Sequence, residues 1–130
     1  MNLKDQLTGV SWQQATRQIE GFNTIAKLTY HIHYFVSAVR RVLEGGPLDA
    51  HDKFSFDHPP IGSEDEWRTF LDQVWINAEA CAAAMEKLPE ERSSEIFVEQ
   101  KYGSFHRNLL GIIEHSHYHL GQIVILKKLL

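Results

Sequence analysis

Histidine is the residue type in this sequence that is best suited to chemistry. The chain of 130 residues contains eight histidines, and five of them form two clusters: His31 and His33, then His115, His117 and His119. Histidine is the commonest metal ligand in proteins, and its side chain titrates close to neutral pH. A metal site is therefore the first kind of chemistry to consider.

The spacing within the second cluster selects two of its members. His115 and His119 are four residues apart, which in a helix places their Cβ atoms on one face about 5–6 Å apart. His117 points about 200° around the helix from His115 and cannot share their ion. Two such imidazoles could bind one ion, or they could be core-edge residues satisfied by hydrogen bonds. The spacing alone leaves both interpretations open.

In the first cluster, the face of the helix favours one histidine over the other. Residues two apart in a helix point in nearly opposite directions. His33 shares its side with Thr29 and Arg40, a set that we expect to face solvent, whereas His31 lies beside Leu28 at the edge of the apolar stripe. We therefore expect His31 to point inward, opposite His115 and His119. Three imidazoles form the ligand set familiar from catalytic zinc sites, which leave a coordination position open.

Helices must position these residues, because capping residues and apolar spacing predict helices and no pattern predicts a sheet. Four helices are predicted: a short one from Ser11 to Gly21, a long one from Thr24 to Glu44 with Asn23 as its cap, one from Ser63 to Pro89, and one from Ser104 to near Leu130. The last is apolar nearly all round, so we expect it to be buried on more than one side. The predicted class is all-α.

Residues 45–62 form a predicted surface loop rather than a further helix. The segment contains three of the four prolines and three glycines, and loops of this length are often functional. Its polar residues, among them His51 and Asp52, could bind a metal, reach over the open site or simply face solvent, and the last is the more ordinary role. We expect Phe54 and Phe56 to anchor the loop on the bundle.

Composition excludes several classes of protein. Thirteen Lys and Arg against seventeen Asp and Glu give a formal net charge of -4, without the basic excess that nucleic-acid binding requires. The single cysteine, Cys81, excludes an internal disulfide and a Cys-rich zinc module. No apolar run approaches the roughly 20 residues that span a bilayer. We expect one domain over residues 1–130, in a cytoplasmic protein that does not bind membranes.

Two sequence motifs resemble a known family. The segment HSHYHLGQI, His115 to Ile123, resembles the H-x-x-Y-H-x-G-Q-I signature in the last helix of the DinB/YfiT-like superfamily of metal-binding four-helix bundles. The segment NTIAKLTYHI, Asn23 to Ile32, is similar to the second-helix pattern of the same family. The resemblance covers nearly the whole chain after the first ten residues. It implies an antiparallel four-helix bundle whose first helix is here short or truncated.

The resemblance also implies a metal and its ligands. Family members hold a divalent ion, most often zinc or nickel, with one histidine from the second helix and two from the last, which correspond to His31, His115 and His119. Gln122 matches the glutamine of the family. It could contact a ligand imidazole or metal-bound water, or bond to a neighbouring helix. Asn108 lies two turns before His115 on the same face and could line the same cavity.

The resemblance further implies a choice of activities on a small-molecule substrate: transfer of a low-molecular-weight thiol to an electrophile, isomerisation assisted by such a thiol, or hydrolysis. We favour thiol transfer, because no residue stands out in the sequence as a general base for water. A non-catalytic metal-binding module is the alternative. Three long helices leave one side of a bundle uncovered, so either the natural chain has a further N-terminal helix or, as we expect, the protein is a homodimer.

Overall fold

A computed structural model describes residues 2–130, and every regular element in them is helical. The α-helices are α1 (Leu3–Leu7), α2 (Trp12–Thr16), α3 (Ile25–Leu43), α4 (Glu64–Lys87) and α5 (Phe105–Leu129), with single 3-10 turns at Asp52–Phe54, Glu90–Arg92 and Gln100–Tyr102. The described residues contain no β-strand beyond one isolated bridge. The predicted all-α class is therefore confirmed.

Side-chain caps set the starts of the three long helices. Thr24, Ser63 and Ser104 each accept the backbone N–H three residues ahead, at 3.1–3.2 Å. Such caps satisfy donors that have no partner within the helix. The predicted starts at Ser63 and Ser104 are confirmed, whereas Thr24 replaces Asn23 as the cap of α3.

The N-terminal region differs from the prediction. The capping box between Ser11 and Gln14 is present, but α2 ends at Thr16 rather than at Gly21. Arg17 takes an extended conformation, and Glu20 is left-handed with a φ of 49°, so the chain turns away before the glycine. Helix α1, which was not predicted from the sequence, precedes α2.

Helix α3 contacts both α4 and α5, and two apolar clusters lie along these three helices. One cluster contains the first half of α3 with the start of α4 and the end of α5, and α1 and α2 add to it Leu7 and Ala15. The other contains Val39, Cys81 and Phe105 from the opposite halves of the same helices. On α5, His115 and His119 therefore lie between the two clusters, whereas His31 on α3 lies at the end of the first cluster, next to Ile32.

The outward side of α5 is exposed in the single chain, so the chain alone does not provide the burial on more than one side that the sequence predicts. Its buried residues are Phe105, Ile112, Leu120, Ile123 and Leu126. Exposed apolar residues on the other side are Leu110, Ile113, Tyr118, Ile125 and Leu129. The helix contacts α3 on one side and α1 near its end. A homodimer that covers this face stays a prediction.

Within the described part of the chain, no helix is both long enough and apolar enough to cross a membrane.

Candidate metal centre

Three histidine side chains from two helices converge at one point. The Nε2 atom of His115 lies 3.1 Å from Nε2 of His31 and 3.1 Å from Nε2 of His119. The candidate ligand atoms of all three residues lie within 4.8 Å of one another. A tetrahedral zinc ion with Zn–N bonds of 2.0–2.1 Å would hold its nitrogen ligands about 3.3 Å apart. The three histidines could therefore bind one metal ion.

Helical periodicity explains this convergence. His31 is buried in α3, with 8% of its surface exposed, just before the buried Ile32. His115 and His119 are one turn apart on α5, in the stretch between the buried residues Ile112 and Ile123. Because α3 packs against α5, a histidine on the packed side of one helix meets two on the packed side of the other.

A buried serine sets the tautomer of His31. Ser55 Oγ donates its one hydrogen to the backbone carbonyl of Asp52 at 2.7 Å and lies 3.0 Å from His31 Nδ1. With its hydrogen used, the hydroxyl can only accept at the second contact. His31 Nδ1 therefore carries the proton, and Nε2 presents a lone pair to the other two histidines.

Gln122 sets the tautomer of His119 in the same way. Its Oε1 atom lies 2.6 Å from His119 Nδ1, and an amide oxygen can only accept. His119 Nδ1 therefore carries the proton, and Nε2 presents a lone pair. Of the two roles considered for Gln122, the structure places it on an imidazole rather than on a neighbouring helix.

Without a cation, this arrangement leaves lone pairs unsatisfied. The Nε2 atoms of His31 and His119 both face Nε2 of His115, which can hold at most one hydrogen and donate it to one of them. Nδ1 of His115 is buried and has no hydrogen-bond partner among the described residues. A cation between the rings would bind all three lone pairs and leave the proton of His115 on Nδ1.

The loop 45–62 closes over His31. The ring of Phe56 stacks on the imidazole of His31 at 4.2 Å between centroids and 4° between planes, and the same loop carries Ser55. Phe35 meets both His31 and His115 edge-on. The prediction that Phe56 anchors the loop is confirmed, whereas Phe54 remains 47% exposed.

Burial keeps two of the histidines neutral. Desolvation has the largest effect, and the nearby His119 and His115 have smaller ones; together they lower the pKa of His31 to about 4. Desolvation, and to a smaller extent the nearby His119, also lower the pKa of His115. A neutral imidazole is the form that binds a metal ion, so both side chains are ready to bind at neutral pH without losing a proton.

The lowered pKa of His31 predicts how the stability of the metal-free protein depends on pH. In the unfolded chain His31 takes up a proton near pH 6.5, but in the folded chain only near pH 4. The unfolded state therefore binds more protons between these values, and stability falls as the pH falls through that window. The loss from this one group is at most about 3 kcal/mol.

Urea unfolding between pH 7 and pH 4, with a chelator present, measures this loss. The matched variant His31→Gln removes the titrating group, so its stability should depend less steeply on pH between 6.5 and 4. If the stabilities of the two proteins fell equally with pH, the pKa of His31 would not be lowered in the folded protein.

A second prediction concerns Gln122. In Gln122→Leu, the Nδ1 proton of His119 loses its acceptor, and the ring loses its fixed orientation. Loss of such a partner typically lowers metal affinity about 10–100-fold. Zinc affinity measured by competition with a chromogenic chelator should fall by that factor, while Gln73→Leu, at an exposed position of α4, should bind as the wild type does. Equal affinities in both variants would rule out the supporting role of Gln122.

Asn108 and His33 form their hydrogen bonds with residues other than the three candidate ligands. Asn108 Nδ2 donates to the carbonyls of Tyr102 and Ser104, both at 2.8 Å. His33 does not face solvent as predicted, because α4 covers this side of α3. It contacts Asn77 of α4, and Thr29 on the same side is fully buried.

An open cleft of about 900 Å³ lies beside the site, and His31 and His115 are part of its wall. Asn108, predicted to line the same cavity as the histidines, lies in this wall as well. His106 and Arg107, at the start of α5, also lie in this wall, and neither was predicted to have a role. Their position depends on the fold of residues 90–103, which no helical spacing predicts.

Comparison of the chain with protein-family models, with curated proteins and with solved structures found no match. The residues and their geometry therefore carry the functional assignment. They support a plain conclusion: His31, His115 and His119 are close enough together, and suitably oriented, to bind a metal ion.

Proposed function

We propose that this protein is a divalent-metal enzyme of DinB/YfiT type, with the corresponding antiparallel four-helix bundle, in which His31, His115 and His119 hold zinc or nickel. One observation carries the proposal: the protons on Nδ1 of His31 and His119 are committed to Ser55 and Gln122, so two Nε2 lone pairs converge on the third ring. Partners of this kind are the usual support for ligand histidines.

The cleft beside the site supports a catalytic role. Three protein ligands leave at least one position open on a four-coordinate ion, and the cleft reaches both His31 and His115. A bound divalent ion lowers the pKa of a thiol or water, so that the nucleophile forms near neutral pH. The protein contributes the rigid ligand set, the stacked Phe56 and a cleft that admits a small molecule.

We propose transfer of a low-molecular-weight thiol as the reaction. The thiol sulfur forms a bond to an electrophilic carbon of the substrate, the leaving group departs with the electron pair of the broken bond, and the thiol proton passes to solvent. Thiols have a pKa near 8.5 in water, so modest stabilisation of the thiolate is sufficient. The reaction therefore needs no general base, and the Nδ1 atoms of His31 and His119 are already engaged.

Hydrolysis is the second candidate, and Asp52 is the observation that favours it. Asp52 is part of the cleft wall, and its negative charge raises the pKa of both His31 and His115, against the larger lowering effect of burial. A carboxylate in that position is suited to orient or deprotonate water. In a hydrolase, Asp52→Asn would abolish turnover without thiol, whereas in a thiol transferase it would leave most of the thiol-dependent rate intact.

A purely structural metal is the third candidate, because the three histidines connect α3 to α5. An ion there would stabilise the packing of these helices even without catalysis. Such a protein would bind metal and unfold at lower temperature after its removal, and it would catalyse neither thiol transfer nor hydrolysis.

The deciding experiment uses protein loaded with cobalt(II), whose absorption spectrum reports its ligands. Addition of a simple thiol such as cysteine should change the cobalt spectrum, and a chlorodinitrobenzene electrophile should then release chloride and form the aryl thioether. Both effects should disappear in His119→Ala. Turnover of activated esters without any thiol would favour the hydrolase instead, and a cobalt spectrum that does not respond to thiol would contradict thiol transfer.

A further inference from the structure

The charged residues of the cleft are separated along its length. The two acidic residues belong to the end at the histidines: the backbone carbonyl of Asp52 accepts the hydrogen bond of the same Ser55 that contacts His31, and Glu114 directly precedes His115 on α5. The other end, at the start of α5, presents Lys101, His106 and Arg107. A ligand that fills the cleft therefore meets the histidines at one end and positive charge at the other.

Arg107 is the cation at that end with no partner. Lys101 lies 3.4 Å from the carboxylate of Glu99, but Arg107 forms no ion pair within 4.0 Å among residues 2–130. Its alkyl chain lies over Gly103, where an added Cβ would come within 3.2 Å of Arg107 Cδ. Because it has no ion-pair partner, the guanidinium is available for a ligand. A guanidinium binds a carboxylate through two parallel hydrogen bonds.

The length of the cleft limits the ligand. Arg107 and His115 are eight residues apart on α5, which corresponds to about 12 Å along the axis. Between these residues the middle of the wall contains the apolar Leu110 and Ile112 from α5 and Phe97 from the preceding segment, while Asn108 lies beside Arg107 and Glu114 beside His115. A volume of about 900 Å³ lies within the range of small-molecule sites. The cleft thus suits a small ligand with an apolar middle.

We propose that Arg107 is a specificity residue that binds a carboxylate of the substrate or of the thiol, at the end of the ligand about 12 Å from the reacting group. This inference rests on the proposed function, which places the reacting group at His31, His115 and His119. The 25-residue helix α5 contributes in the same direction, because the N-terminus of a helix favours negative charge.

Two thiols of equal length test the proposal: ω-mercaptooctanoate, which carries a carboxylate, and ω-mercaptooctanol, which carries a neutral hydroxyl. Their affinities are measured by calorimetry on both the metal-free and the cobalt-loaded protein. In both forms the carboxylate should bind about tenfold more tightly, as expected for a charge-assisted hydrogen bond at a solvent-accessible site. Added salt should reduce this preference, because the guanidinium is exposed.

Variants of the chain assign the preference to one residue. Arg107→Met keeps the alkyl contact with Gly103 and should bring the ratio of the two affinities to about one, whereas Arg107→Lys should retain part of it. Lys128→Met removes the same charge from the exposed last turn of α5 and should leave the ratio unchanged.

The outcomes separate this inference from the proposed function. Equal affinities for the two thiols in the wild type, or a preference that survives in Arg107→Met, would overturn the role of Arg107. A preference that depends on Arg107, combined with a cobalt spectrum that neither thiol changes, would support the carboxylate site and contradict only the proposed thiol chemistry.

Discussion

His115→Ala is expected to abolish stoichiometric metal binding, with a loss of affinity of at least about 100-fold, the upper end of what removal of a supporting hydrogen bond costs. His115 is the middle residue of the three, since its Nε2 lies 3.1 Å from both other Nε2 atoms. Removing it leaves two nitrogens on different helices with no third ligand between them. Mass spectrometry of bound metal per chain, and zinc affinity from chelator competition, measure the effect.

His117→Ala is the matched control for this variant. His117 is on the same helix, two residues away, and its side chain is exposed. Its loss changes composition and helix propensity in the same way, but it removes no candidate ligand. Metal content of His117→Ala should equal that of the wild type. If His115→Ala bound zinc with the affinity of the wild type, the zinc site would lie away from His31, His115 and His119.

Trp67→Ala is expected to lower the free energy of unfolding by about 3–5 kcal/mol, the usual cost of removing a large buried aromatic side chain. Trp67 is fully buried, and its indole Nε1–H donates to the carbonyl of Val10 at 2.9 Å. Trp67 therefore joins α4 to the N-terminal segment. Leu7 of that segment is completely buried in the same apolar cluster. Urea unfolding followed by circular dichroism measures the loss.

Two variants separate the contributions of Trp67. Trp67→Phe keeps most of the apolar volume and removes the hydrogen bond to Val10, so it should cost less than Trp67→Ala. Trp75→Ala, at a half-buried position on the same helix, should also cost less. A Trp67→Ala protein within about 1 kcal/mol of the wild type, a typical effect for a point mutation, would show that the N-terminal segment does not pack on α4 as described.

The long helices could be predicted from the sequence because their signals are local. Ser63 and Ser104 are caps whose partners lie three residues ahead, and the apolar spacing between caps follows the helix period. The predictions that failed depend on packing between residues far apart in the sequence. Helix α1 is short and has no strong periodicity, and burial of Thr29 and half-burial of His33 depend on α4 packing against that side of α3.

Only part of the candidate site could be predicted from the sequence, for the same reason. The pairing of His115 with His119 follows from helical spacing, and His31 follows from its place on the apolar stripe, with the family resemblance pointing to the same three residues. The support of His31 by Ser55 could not be predicted, because the two residues are 24 positions apart and meet only when the loop closes. Arg107 and its cleft were missed for a similar reason, since residues 90–103 have no periodic pattern.

The central claim is that the Nε2 atoms of His31, His115 and His119 bind one divalent metal ion. Anomalous diffraction from crystals of the zinc-loaded protein, recorded at the zinc edge, tests this claim most directly. We predict a single strong peak per chain, 2.0–2.1 Å from each of the three Nε2 atoms. The absence of a peak between these rings, or a peak only at other residues such as His51 and Asp49, which already lie 3.2 Å apart, would contradict it.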